Sequence, residues 1–177
     1  MSRNDGHLKM PANRPKPLLL VDVDGVISLF GFTPDERPAG TFLSVDGIPH
    51  FLSAAAGDHL RRLQDRFELV WCSGWEERAN DYLPQALGLP GPLHHLTFGG
   101  APGWEDRHWK LDAIDAHVGR HRPVAWIDDD HDGCSEWARE RPGPTLLLTT
   151  EPPTGITDRH VAELERWARA LATGTGD

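Results

Sequence analysis

The stretch Leu18-Leu19-Leu20-Val21-Asp22-Val23-Asp24-Gly25-Val26 decides how the rest of this chain is read. An unbroken apolar run between polar flanks predicts a strand buried on both faces, as in a parallel sheet. Asp22 and Asp24 then fall at its C-terminal end, the edge at which open α/β sheets bind ligands. Residues two apart on an extended chain share a side, so both carboxylates can face one ligand, and Gly25 lets the backbone turn sharply away. Two carboxylates that close repel each other unless a cation or a proton lies between them.

A chain of 177 residues with 38% hydrophobic content fits one globular domain with a substantial core. The expected division is a flexible tail over 1–16, a single domain over 17–172 and a short tail over 173–177. The formal net charge of -9 argues against gripping a nucleic-acid backbone through a broad basic face, although a strand end stays open as a partner. It suits recruitment of a divalent cation. Cys72 and Cys134 are the only cysteines and have no paired spacing, which argues against a disulfide framework or a thiolate zinc site and favours reduced thiols in the cytoplasm. No run approaches membrane-spanning length, so no membrane partner is expected. No sequence feature sets an oligomeric state.

Beyond the first strand, 27–40 carries Gly31, Pro34, Pro38 and Gly40 and reads as a loop or flap. Residues 41–52 place Asp46-Gly47 between two apolar runs, the signal of a β-hairpin, with Pro49 favouring an edge; this hairpin should lie over the end of strand one. Helical spacing of Leu60 and Leu63 is followed by a strand over 67–72, ending at Ser73-Gly74. A helix over 76–87 closes near Gly88, a third strand spans 93–98, and a helix from about 106 to 118 presents Trp109, Leu111 and Ile114. A fourth strand, 124–127, ends at Asp128-Asp129-Asp130. A helix over 134–139, a strand over 145–149 and a helix over 157–171 complete the pattern. Strands alternating with helices predict an α/β fold, a three-layer Rossmann-like parallel sheet with helices on both faces.

Four features fall just past predicted strand ends or at the start of a helix: Asp22-Val23-Asp24-Gly25, Ser73-Gly74, Lys110 and Asp128-Asp129. In this order and context they resemble the four motifs of the haloacid dehalogenase-like (HAD) hydrolase superfamily, over roughly residues 17 to 150. The resemblance implies a HAD-like fold and assigns the roles of nucleophile to Asp22, which would form an aspartyl-phosphate, and of general acid/base to Asp24. It implies that Ser73, with backbone N–H groups that Gly74 leaves approachable, holds a phosphoryl oxygen, and that Lys110 bridges nucleophile and phosphate. It implies Mg²⁺ held by Asp22, the main-chain carbonyl of Asp24, Asp128 and Asp129, with Asp132 as the alternative to Asp129. The chemistry agrees: a carboxylate attacks without prior deprotonation, a neighbouring carboxyl can hold the proton that a leaving alkoxide needs, and Mg²⁺ favours a few carboxylates plus substrate oxygens.

Each residue also has a plainer reading. A serine after a strand commonly caps a helix, a lysine in an amphipathic helix is commonly solvated, and Asp130 and Asp132 precede a helix that they can cap. Asp22 and Asp24 have no comparable structural excuse. Trp75 and Trp104 fall where they can rim the pocket and stack on a base, sugar or aromatic leaving group, against packing as the alternative. His117 and His121 lack a third ligand for zinc, His94-His95 reads as a strand edge, and Cys72 as a buried structural thiol.

In the superfamily, large caps are inserted between the first and second or the second and third motifs. Here the first gap holds a flap, a hairpin and one helix, and the second only helix, strand and loop, which resembles a minimally capped member. The expectation is a Mg²⁺-dependent phosphomonoesterase acting on a nucleotide, a nucleic-acid end or another large phosphoester. The competing expectations are a non-catalytic HAD-like binding module and a phosphoacceptor domain like response-regulator receivers, in which the acidic pair comes early and the lysine late, opposite to this chain.

Overall fold

The computed structural model describes residues 15–99 and 108–174. Strand β1, Leu18–Val21, is fully buried and sits in the middle of a five-stranded sheet. The chain then makes a two-residue strand β2 (Ser28–Leu29), a 3₁₀ turn at Pro34–Glu36, and the hairpin β3 (Gly40–Val45) and β4 (Ile48–Ser53). Helix α1 (Ala56–Leu63) leads to β5 (Glu68–Trp71), and α2 (Ala79–Leu87) to β6 (His94–His95). Helix α3 (Leu111–Val118), β7 (Val124–Asp128), α4 (Cys134–Glu140), β8 (Thr145–Thr149) and α5 (Asp158–Thr173) follow.

The sheet order is β6-β5-β1-β7-β8, and every pairing in it is parallel. Alternation along β1 divides the core into two layers. Leu19 and Val21 face α1, α2 and α5 through Leu60, Leu63, Leu83, Val161 and Leu164. Leu18 and Leu20 face α3 and α4 through Leu111, Ile114, Val118 and Cys134. An apolar run rather than an alternating one is what burial on both sides requires.

The flap contains more order than the loop expected over 27–40: β2, β4 and β3 form a small antiparallel sheet. The β3–β4 turn is Asp46-Gly47, both with positive φ, 50° and 85°, as a tight hairpin of this twist demands. Pro49 is tolerated although β4 is the middle strand, because β2 reaches only Phe51 and Leu52 and leaves Pro49 with a neighbour on the β3 side alone. The loop after β8 ties the flap to the main sheet: Ile156 N–H donates to Val26 O at 2.9 Å and the Thr150 hydroxyl to Gly25 O at 2.8 Å.

Three expected elements are shorter or later than their patterns suggested. The strand expected over 93–98 pairs only at His94–His95, on the sheet edge. The Asn80 side-chain amide occupies both backbone groups of Leu93, and Glu76 accepts the Phe98 N–H, so neither residue is left free to join the ladder. The helix expected over 76–87 opens with a 3₁₀ turn at Glu76–Arg78 and becomes α-helical at Ala79, because Glu76 takes a left-handed φ of 48°. The helix expected from about 106 starts at Leu111; Trp109 and Lys110 lie in the preceding turn, and 106 and 107 lie outside the described residues. Lys16, assigned to the flexible tail, is held on the body, its carbonyl accepting from Arg122 at 3.0 Å and its ammonium donating to Gln64 O at 2.7 Å. Helix α5 runs one residue past the expected domain end at 172.

Candidate active site

The parallel ladder brings the chemical groups to one edge. Asp22 N–H donates to Ile127 O and Cys72 N–H to Val21 O, so Asp22, Cys72 and Asp128 stand level at the ends of three adjacent strands, with Ser73 one residue further along. Lys110 reaches them from the turn before α3, not from within that helix.

Lys110 is 3% exposed and its ammonium lies between two carboxylates, 2.6 Å from Asp128 Oδ2 and 3.1 Å from Asp22 Oδ2. A solvated surface lysine does not look like this. Burial works against the ammonium, but Asp22 and Asp128 outweigh it and hold its pKa above the ordinary lysine value. Asp128 is buried beside Asp22, and these two effects push its carboxyl up to about 7 against the pull of Lys110. Its Oδ2 also accepts the Trp126 indole N–H at 2.9 Å, and its Oδ1 the Asp130 N–H at 3.1 Å. Two buried carboxylates share one ammonium, and the unmatched negative charge is available to a proton or a cation.

Asp129 completes the acidic group. One oxygen each from Asp22, Asp128 and Asp129 lie within 4.8 Å of one another. Burial, then the charge of Asp22, raises the Asp129 pKa as well. Asp132 is not in this group; it is exposed, and its N–H is taken by Asp130 at 2.8 Å in the turn before α4. Gly25 makes room for Asp129: its φ is +74°, and a Cβ there would stand 2.6 Å from the Asp129 carboxyl carbon. Among the described residues, three carboxylates against one lysine, with oxygens converging, fit a divalent cation of the hard, oxygen-seeking kind.

Ser73 is buried, and its hydroxyl accepts the Trp75 N–H at 3.4 Å, a local turn contact at the end of β5. A Cβ on Gly74 would meet nothing closer than the Trp109 ring, at 3.8 Å, so the loop is open to approach.

A family model described as the HAD domain in Swiss Army Knife RNA repair proteins matches residues 18–161. The chain belongs to this family. Its superfamily is of the hydrolase and phosphatase type. No curated protein matches the chain significantly.

In this HAD domain Asp24 stands apart from the acidic group, and its side chain is half exposed. Trp75 donates its indole N–H to Asp24 Oδ2 at 2.9 Å. His50, from β4, places Nδ1 3.5 Å from Asp24 Oδ1 and 3.1 Å from the Ser28 hydroxyl. Hairpin and motif loop therefore meet over Asp24, so the hairpin does lie over the end of β1. Trp75, expected at the rim, instead holds Asp24; the role of His50 depends on long-range packing, whereas Trp126 meets Asp128 two residues along the same strand, a period-two spacing that is local. Trp104 lies outside the described residues, whereas Trp109 is 43% exposed with its ring 5.2 Å from the Lys110 ammonium. His117 stacks on His94 at 4.6 Å, and among the described residues no histidine joins a metal-binding group. Cys72 and Cys134 are buried free thiols; burial pushes Cys72 well above its ordinary value and Cys134 up to about 11. Among the described residues, no helix is long and apolar enough to cross a membrane.

Proposed function

We propose that this HAD domain is a Mg²⁺-dependent phosphomonoesterase that acts through an aspartyl-phosphate on Asp22, with a nucleic-acid end as its substrate. The observation that carries the reading is the buried ammonium of Lys110 between Asp22 and Asp128. A cation fixed beside a carboxylate lets that carboxylate meet a phosphate dianion in spite of like charge.

In the first step an Asp22 carboxylate oxygen attacks phosphorus, the bond from phosphorus to the leaving oxygen breaks, and Asp24 delivers its proton to that oxygen. In the second step water attacks the same phosphorus while Asp24 takes its proton, which releases inorganic phosphate and restores the Asp22 carboxylate. Ser73 holds a phosphoryl oxygen throughout, and Lys110 offsets charge on Asp22 and the phosphoryl group. Asp22, Asp128, Asp129 and the Asp24 carbonyl would hold Mg²⁺, which supplies charge neutralisation at the phosphoryl oxygens when bound.

Two features support a strand end as substrate. The family is one found in RNA repair proteins, and only a small three-stranded flap stands between motif one and α1, which leaves space for a large phosphoester. The net charge of -9 then restricts contact to the terminus rather than a long backbone track. The test is a phosphatase screen with Mg²⁺ or with EDTA, over oligonucleotides phosphorylated at either end, mononucleotides, sugar phosphates and phosphopeptides. Metal-dependent release from oligonucleotide ends, abolished in Asp22→Asn, is expected. Turnover confined to phosphopeptides or sugar phosphates would overturn the substrate; no metal-dependent turnover on any would leave a non-catalytic binding module.

A further inference from the structure

Three separate parts of the chain converge on the Asp24 side chain: the loop after β1 that carries it, the loop after β5 and strand β4. The loop after β5 contributes Trp75, whose indole N–H reaches Oδ2 at 2.9 Å. Strand β4 contributes His50, whose ring meets the edge of Trp75 at a centroid distance of 4.6 Å and 69°, and whose Nδ1 lies 3.5 Å from Oδ1. The Ser28 hydroxyl, 3.1 Å from the same nitrogen, fixes the imidazole from behind.

An indole has one hydrogen to donate and no acceptor to offer. It binds best to the carboxyl oxygen that carries no proton, which is much the stronger acceptor. We infer that Trp75 is a positioning residue for the general acid: it reserves Oδ2 of Asp24 as an acceptor, so that Oδ1 is the oxygen that delivers the proton to the leaving group and later collects one from water. His50 closes the other side and limits rotation of the carboxyl. The assignment rests on the phosphomonoesterase reading above.

The loop is built to keep the indole in place. Trp75 follows two residues after Ser73, so the turn that presents a hydroxyl to the phosphate also orients the acid. Glu76 N–H donates to Ser73 O at 2.9 Å, and the Glu76 carboxylate accepts the Phe98 N–H at 2.8 Å. Together these bonds hold Glu76 at φ 48°, a left-handed conformation that a glutamate adopts only when its surroundings impose it.

Trp75→Phe keeps an aromatic ring of similar shape and removes the N–H. kcat/KM reports only the steps up to departure of the leaving group, and an alkoxide needs a proton where p-nitrophenolate does not. The loss of kcat/KM in Trp75→Phe is therefore expected to be larger by about tenfold or more on glycerol phosphate than on p-nitrophenyl phosphate. Equal losses on the two substrates, or no loss on either, would overturn the positioning role. Asp22→Asn, inert on both, separates this outcome from failure of the underlying reading; a wild type that turns over neither these phosphates nor a phosphorylated oligonucleotide end would remove the role together with that reading. The bond itself is read without activity from the Trp75 indole ¹H–¹⁵N signal, assigned by its loss in Trp75→Phe. Asp24→Ala should move it upfield and speed its exchange with solvent, and an indole signal that ignores Asp24→Ala would also overturn the assignment.

Discussion

Replacing Lys110 by methionine keeps the length of the side chain and removes the ammonium between Asp22 and Asp128. At separations of 2.6 and 3.1 Å, an effective dielectric near 20 gives attractions of about 5–6 kcal/mol each. Dehydration of the ammonium and repulsion between the two carboxylates offset much of this, so the net loss should be about 3–5 kcal/mol, as for other buried pairs that lose one partner. For a chain of this length that is a fall in Tm of roughly 6–20 °C. The loss is expected in EDTA and should shrink when Mg²⁺ is added, because the metal replaces the missing positive charge.

It should also depend on pH in a fixed direction. Without lysine, one of the two carboxyls binds a proton more tightly in the folded chain than in the unfolded one, where its pKa is about 3.9. Stability then falls as pH rises from that value through the folded one, already up to about 7 for Asp128 with lysine present. The deficit of Lys110→Met against wild type is thus larger at pH 8 than at pH 5. Urea denaturation at both pH values, in EDTA and in Mg²⁺, measures it. A deficit under about 1 kcal/mol at pH 8 in EDTA, or one that ignores pH, would refute the shared-ammonium account.

Gly25→Ala combines a positive φ with a Cβ 2.6 Å from the Asp129 carboxyl carbon, so it should lower stability by about 1–3 kcal/mol and weaken Mg²⁺ binding. Gly47→Ala, at φ +85° but with nothing within 4 Å, should show the stability loss without the metal effect; calorimetric Mg²⁺ titrations of both variants decide. Saturating Mg²⁺ at a hundred times its Kd should stabilise the wild type by about 2.7 kcal/mol, and Asp129→Asn should lose most of that gain in a thermal-shift assay. His160 accepts the Thr157 N–H through Nδ1 at 3.1 Å at the start of α5, and burial, then Arg159, lowers its pKa. Because the unfolded histidine binds protons more readily, stability falls as pH drops through the unfolded value toward the folded one. His160→Gln, which can serve the same cap without titrating, should remove about 1 kcal/mol of the change between pH 7.5 and 5. Identical slopes for variant and wild type would exclude the cap as the cause.

What could be read in advance was whatever depends on neighbours in sequence. The run Leu18–Val21 announces a strand covered on both sides, and Asp46-Gly47 announces its hairpin, because burial pattern and turn dihedrals are local properties. Asp22, Ser73 and Asp128 were legible as a set because strand ends of one parallel sheet meet at one edge, and Lys110 because of its place in the order of motifs that the chain resembles. The strand expected over 93–98 failed for a non-local reason: Asn80, thirteen residues before Leu93, takes both of its backbone groups. The contacts of Asp24 failed likewise, since Trp75 lies fifty-one residues from it and His50 reaches it only because β4 folds back across the sheet end. A choice between Asp129 and Asp132 needed the path of the backbone past Gly25, which spacing alone does not contain.

The two cysteines give the molecule a chemically silent background. Both are shut inside the core, with thiols that burial keeps protonated at neutral pH, and Cys72 lies directly before Ser73 without facing solvent. Thiolate-directed reagents should leave the folded wild type unlabelled. A single cysteine introduced at Ile48, 62% exposed on the hairpin, would be the only one to take a fluorophore, turning the flap into an optical handle on substrate arrival.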